Sequence, residues 1–338
     1  MITPAYLKKN DKIAIISTGR KISKQEIQPA ITKFEQWGLK VILGKNLFKE
    51  FNQFAGNDAQ RADDLQEMLD DISIKAIICA RGGYGTVRII DKINFSIFCK
   101  HTKWIVGYSD ITVLHSHIHG NFGIETLHST MPVNFIKNNS SNSLETMRKA
   151  LFGEKISYSL NPSTLSRKGN AQAILVGGNL SVLYSLTGSK SDINTDGKIL
   201  FIEDLDEYLY HIDRMIMALK RAGKFDKLAG LIIGAMSDMN DNEIPFGKTP
   251  KEIIAEAVAE YSYPVYFDFP AGHIEDNRAL ILGRNIQLNV NDSVNITYDD
   301  AKINSSQRTK KFIITIIIIL AALLLLSLIY KIVLTKVI

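Results

Sequence analysis

Trp104-Ile105-Val106-Gly107-Tyr108-Ser109-Asp110-Ile111 is the stretch on which the fold turns. An apolar run meets a glycine, and a helix-patterned segment starts at Ile111, so the chain here reads as strand, sharp turn and helix. Ser109 stands at the apex. A serine on such a turn projects its hydroxyl away from the backbone, and the N-terminus of the next helix offers unpaired N–H groups to a developing oxyanion. That position suits a nucleophile, although an ordinary helix N-cap draws on the same residue types. Partners elsewhere in the chain decide between the two.

Working outward, Ile13–Ser17, Val41–Gly44 and Ala76–Ala80 are apolar runs like Trp104–Val106, separated by helix-patterned stretches such as Gln25–Trp37 and Ala59–Asp70. Strands alternating with helices predict a parallel sheet covered on both faces. Ligands bind such sheets beyond the carboxyl ends of the strands. Two loops meet that condition together: Arg81-Gly82-Gly83-Tyr84-Gly85 after the third run, and the Ser109 turn after the fourth. Asn138–Ser143 and Asn161–Gly169 read as a crossing between domains. From Ala171 the pattern changes to runs at Ile199–Ile202 and Leu228–Ile233, with one strong helix over Tyr210–Ala222.

The 338 residues suffice for two domains, and 46% apolar with 22% charged is ordinary globular composition. The formal charge of +5 belongs to the tail: six of the 40 Lys and Arg fall in residues 301–338, which hold no acid, leaving 34 against 35 Asp and Glu. A near-neutral body has no footprint for counterion-driven phosphate binding, so nucleic acid is set aside as a partner. Cys79 and Cys99 make neither a CxxC pair nor a disulfide framework, which fits a reducing compartment.

Phe312–Tyr330 is a nearly unbroken apolar run of 19 residues. As a helix it would be roughly 28 Å long, one hydrocarbon core, which predicts a C-terminal transmembrane anchor. Met1–Lys12 is short and polar and carries no pattern of a cleaved export signal. Arg308, Lys310 and Lys311 before the run outweigh Lys331 and Lys336 beyond it, a weak positive-inside bias. The expectation is a body on the cytoplasmic face of the inner (plasma) membrane, held by a single-pass anchor.

A serine nucleophile needs a base and a group to orient it. Of the seven histidines, His273 lies in Pro270-Ala271-Gly272-His273-Ile274-Glu275-Asp276-Asn277, a loop whose proline and glycine can present an imidazole. Glu203 closes an apolar strand and opens Glu203-Asp204-Leu205-Asp206-Glu207. A carboxylate at a strand end can hold a histidine tautomer, and spacing does not choose among these four acids. His115 and His119 lie one helical turn apart, with His117 between them, and invite a zinc reading. No HExxH-like carboxylate accompanies them, so packing is the expectation, and Arg81–Gly85 has neither GxGxxG nor a GK[ST] ending. No metal and no cofactor are expected.

Arg81-Gly82-Gly83-Tyr84-Gly85, Gly107-Tyr108-Ser109-Asp110, Gly177-Gly178-Asn179-Leu180, Phe201-Ile202-Glu203-Asp204 and Gly272-His273 stand in the order found in one family. From about Pro4 to Tyr298 the chain resembles the LD-carboxypeptidase family of serine peptidases, which includes the microcin-immunity carboxypeptidases. The resemblance implies an α/β fold: a flavodoxin- or amidotransferase-like parallel-sheet domain over 1–140, a linker over 141–170, and a swivelling α/β domain over 171–300. A basic linker (301–311) and the transmembrane helix (312–330) would follow. It implies a Ser-Glu-His triad, with Ser109 as nucleophile, Glu203 as orienter and His273 as general base. The oxyanion hole would use the Asp110 N–H with one from Gly82 or Gly83, and Arg81 is the candidate grip for the substrate carboxylate.

The implied reaction removes the C-terminal D-alanine from muropeptide tetrapeptides during peptidoglycan recycling, by an enzyme whose relatives are commonly dimers. Hydrolysis of peptidyl-nucleotide antibiotics is the alternative within the family, and a catalytically silent, membrane-tethered peptide-binding protein is the alternative outside it. His128-Ser129-Thr130-Met131-Pro132 departs from the family pattern, with serine and threonine where many relatives carry a glycine-proline pair. The tail beyond about residue 300 is additional to the family.

Overall fold

The computed structural model describes residues 1–135 and 141–301. In its first half, β1 (Lys12–Ile16), α1 (Lys24–Gln36), β2 (Lys40–Leu43), α2 (Asp58–Asp70), β3 (Ile74–Cys79), α3 (Ser96–Lys100), β4 (Trp104–Gly107), α4 (Thr112–Phe122) and β5 (Thr126–His128) follow one another. The strands pair in parallel, as the alternation predicts, in the order β2-β1-β3-β4-β5, which is the flavodoxin-like order that the resemblance implies. Helices cover both faces, which is why β1, β3 and β4 are continuous apolar runs rather than alternating ones. Two helix starts are fixed by reciprocal side-chain and backbone bonds, Ser23 with Glu26 at α1 and Asn57 with Gln60 at α2.

The second half contains α5 (Ser141–Phe152), β6 (Ser157–Leu160), β7 (Gly169–Asn179), α6 (Leu180–Leu186), β8 (Ile199–Leu205), α7 (Leu209–Arg221), β9 (Gly230–Ser237), α8 (Pro250–Ala257), β10 (Val265–Phe267), β11 (Leu280–Leu282), β12 (Asn285–Val290) and β13 (Val294–Tyr298). Residues 141–170, expected as a linker, thus carry α5 and β6. The second sheet has the order β10-β9-β8-β7-β12-β13-β6, parallel from β7 to β10 and antiparallel from β7 to β6. α7 packs on it through Ile212, Met215, Ile216 and Leu219, an i, i+3, i+4, i+7 stripe.

β11 leaves this sheet and pairs antiparallel with β5 at the edge of the first, Leu280 opposite His128. The chain therefore crosses from the edge of one sheet to the edge of the other between β10 and β11, and that crossing holds His273. Ile15, Val106 and Leu127 of the first sheet share one core with Phe201, Ile232 and Tyr266 of the second, so Thr3–Ala301 is a single compact unit. A buried ion pair, Arg284 Nη2 to Glu125 Oε2 at 2.5 Å, joins the two halves close to β5.

The expectation of a membrane-spanning helix is corrected. Among the described residues no helix is long and apolar enough to cross a membrane. The longest, α1, α2 and α7, have 13 residues, about 20 Å against a hydrocarbon core of about 30 Å. The run at 312–330 that prompted the expectation lies outside the described residues, with the rest of 302–338. The single-pass anchor, and the membrane-face location drawn from it, are withdrawn.

Candidate active site

Gly107 ends β4 with φ 157°, Tyr108 is extended, and Ser109 has φ 63° before the helical turn into α4. Left-handed backbone at a serine costs about 1–3 kcal/mol and persists only where the surroundings enforce it. Here they do: a Cβ on Gly107 would stand 2.7 Å from Ile111 Cγ1. The turn is a strand-to-helix elbow with Ser109 at its tip, 9% exposed.

The Arg81–Gly85 loop closes over the elbow. A Cβ on Gly82 would lie 3.2 Å from Ser109 Oγ, so the loop backbone reaches the hydroxyl only because residue 82 is glycine. Asp110 ties the loop down: its carboxylate accepts from the Thr86 N–H at 3.0 Å and from Thr86 Oγ1 at 2.7 Å. Burial pushes this carboxyl upward, while the bonds from Thr86 favour the anion.

Glu203 lies near the end of β8, where the β8–β9 register shifts between Ile202 and Asp204. Its side chain is fully buried and that of His273 is 13% exposed. His273 Nδ1–H donates to Glu203 Oε2 at 2.8 Å, which leaves Nε2 as the acceptor of the neutral ring. Gly272, at φ 118°, permits the approach, because a Cβ there would be 2.7 Å from Glu203 Oε2. The Tyr108 ring packs on the imidazole with centroids 4.8 Å apart. Burial opposes the His273 cation, but the Glu203 charge and hydrogen bond, with Asp204 and Asp238 behind them, hold its pKa above the ordinary value.

Ser109, His273, Arg81, Gly82 and Gly83 line one pocket of about 450 Å³, together with Arg20, Met131, Asn179, Asp204, Asp206 and Glu207. Glu203 stands behind His273 and Asp110 beneath the elbow. Arg81 Nη1 is engaged by Lys21 O at 3.3 Å and Glu26 Oε1 at 3.6 Å. Arg20 was not singled out in the sequence, yet Ser17-Thr18-Gly19-Arg20 directly follows the β1 run, a signal of the same kind as Arg81–Gly85. Tyr108 was read only as part of the turn, and its packing on His273 has no sequence signal.

The histidines of α4 have other partners. His115 Nε2 meets Gly107 O, His117 Nδ1 meets Ser191 Oγ and His119 Nε2 meets Thr126 Oγ1, each at 2.9 Å.

A hydroxyl on a strained elbow, an imidazole held by a buried carboxylate and a backbone loop over the hydroxyl are the parts of acyl transfer through a serine. Fold and site together are those of a serine-type hydrolase. The chain belongs to the LD-carboxypeptidase family: it matches the family's N-terminal domain over residues 13–129 and its C-terminal domain over 172–288. A Bacillus subtilis protein named probable murein peptide carboxypeptidase is 36% identical over 85% of this chain and 91% of its own length. The crystal structure of muramoyltetrapeptide carboxypeptidase from Oxalobacter formigenes superposes with a TM-score of 0.79 at 26% identity, covering 86% of this chain and 99% of that one. The microcin C7 self-immunity protein, solved with aspartyl sulfamoyl adenosine, shares the fold with a TM-score of 0.81 at 20% identity over 90% of this chain and 100% of its own.

Proposed function

We propose that the protein removes the terminal D-alanine from muropeptide tetrapeptides, cutting after the L-centre of the diamino acid. The observation that carries this is the 2.8 Å bond from His273 Nδ1–H to buried Glu203, in the pocket that also holds Ser109 on its strained turn. His273 Nε2 takes the proton as Ser109 Oγ attacks the carbonyl, then returns it to the leaving amine. Water activated by the same nitrogen hydrolyses the acyl-enzyme. The Asp110 N–H and one from Gly82 or Gly83 serve the oxyanion, where losing one donor typically costs about 2.7–4 kcal/mol of transition-state stabilisation.

An exopeptidase must bind a free carboxylate, and Arg20 and Arg81 both line the pocket. Arg81 is partly engaged, whereas the Arg20 guanidinium has no hydrogen-bond or ion-pair partner among the described residues. Asp206 and Glu207, which also line the pocket, suit the ammonium group of a diamino acid. Clamping a nucleobase calls for two aromatic faces. Among the described residues lining the pocket, Tyr108 is the only phenyl or indole ring, and it packs on His273.

The test is mass spectrometry of a tetrapeptide ending in D-alanine, incubated with the full chain and with Ser109→Ala. Loss of one alanine with the wild type alone is expected. Ser109 labelled by a fluorophosphonate without cleavage would overturn the substrate, and failure to label would overturn the nucleophile.

A further inference from the structure

Ser109 lies on the first sheet and Glu203 on the second, so something must hold one against the other. Thr112, the first residue of α4, is fully buried and out of reach of any substrate. Its Oγ1 accepts the Asn179 N–H at 2.9 Å from the end of β7. Gly178, at φ 147°, makes room, since a Cβ there would stand 2.4 Å from Thr112 Oγ1. The Asn179 side chain continues the connection: Nδ2 donates to Asp204 Oδ1 at 2.9 Å. Asp204 also accepts the Ser181 and Leu205 N–H groups, each at 2.9 Å, and is 1% exposed. It directly follows Glu203, which pairs with Asn179 in the β7–β8 ladder. A continuous run of hydrogen bonds thus leads from the nucleophile's helix to the strand end that carries the orienting carboxylate.

A second buried carboxylate beside Glu203 is costly by desolvation and by repulsion, and a hydrophobic residue would pack there without either cost. Three donors nonetheless converge on it, as in networks that fix a unique geometry. We propose that Thr112, Asn179 and Asp204 form a latch that sets Ser109 against the Glu203–His273 pair, with Thr112 and Asp204 as positioning residues. The proposal rests on the serine mechanism given above.

The test uses Thr112→Val, Thr112→Ser, Asp204→Asn and the Thr112→Val/Asp204→Asn pair in the full chain. It reads kcat and KM on the tetrapeptide and the rate of fluorophosphonate labelling at Ser109. Misplacing a reacting group by an ångström can cost about a hundredfold, so Thr112→Val and Asp204→Asn are each expected to lower kcat and labelling by about ten- to a hundredfold. KM of Thr112→Val should stay within about threefold, as for a group that does not touch substrate. Thr112→Ser, which keeps the hydroxyl, should recover most of the rate. Parts of one latch are not additive, so the double variant should lose little more than the worse single one. Labelling at the wild-type rate in Thr112→Val, or losses that multiply in the double variant, would overturn the latch. Should Asp204→Asn fail to fold, the valine and serine variants of Thr112 decide it alone. Should the wild type label but not cleave, the substrate reading fails and the labelling rates still decide the latch.

Discussion

Glu203→Gln removes one charge and little else, which makes it the sharpest probe of the site. In the resting enzyme the amide oxygen can still accept from His273 Nδ1–H, where the carboxylate now accepts at 2.8 Å. The difference appears when His273 takes the serine proton and becomes a cation. For charge centres about 4 Å apart in an effective dielectric of about 20, the lost attraction is about 4 kcal/mol. At about 1.4 kcal/mol per decade this is about a thousandfold in kcat/KM. An amide can also turn its NH2 toward the ring and select the wrong tautomer, which extends the expected loss to about 10³–10⁴-fold. Stability should move the other way or not at all. Glu203 Oε1 has no partner among the described residues, and burial together with the Glu203 charge pushes Asp204 up to about 7, so neutralising residue 203 relieves a buried repulsion. The assay pairs kcat/KM on the tetrapeptide with a thermal melt. Activity within tenfold of wild type in a folded Glu203→Gln protein would refute the role given to this carboxylate.

Three further outcomes follow from the same geometry. The acid limb of kcat/KM should have its midpoint above 6.5, because the proposed mechanism needs neutral His273 and its surroundings raise the pKa from that value; a pH profile with a midpoint below 6.5 would contradict this. Burial lowers His115, to about 4, and lowers His119 and His128 well below the ordinary value, so at these three sites the unfolded chain binds more protons below pH 6.5, while the raised carboxyls of Asp64, Asp110 and Asp204 act the other way. The melting temperature of His119→Gln should therefore gain on that of the wild type as pH drops from 6.5 toward 4, and a difference that stays constant with pH would contradict it. Arg20→Ala should raise KM about tenfold, close to 1.4 kcal/mol, and more than Arg81→Ala does, since Arg81 is already engaged by Lys21 O and Glu26. Equal effects, or a larger one at Arg81, would return the carboxylate grip to Arg81.

Local pattern made the first sheet legible: the apolar runs predicted for β1 to β4 end within two residues of the observed strands, and α1, α2 and α7 agree as closely. These elements are set by burial on both faces and by caps, both written in neighbouring residues. The pocket loops were legible for the same reason, since Arg81–Gly83 and Ser109 follow predicted strands. Choosing Glu203 among four acids was beyond pattern, because what separates it is its 2.8 Å contact with a histidine 70 residues away. The Asn179–Thr112 bond spans 67 residues and was equally out of reach.

β11 shows the physical reason most clearly. Leu280-Ile281-Leu282 is a three-residue apolar run that could pair with any exposed edge, and only the packing of two sheets around one core commits it to β5. That pairing returns the chain to the first sheet just after His273, so the loop bearing this histidine is anchored at one end in each half. With the loop so anchored, the distance between His273 and Ser109 is set by how the two halves pack. Residues far from the pocket but between the sheets, such as the Arg284–Glu125 pair, therefore bear on the alignment of the site as well as on stability.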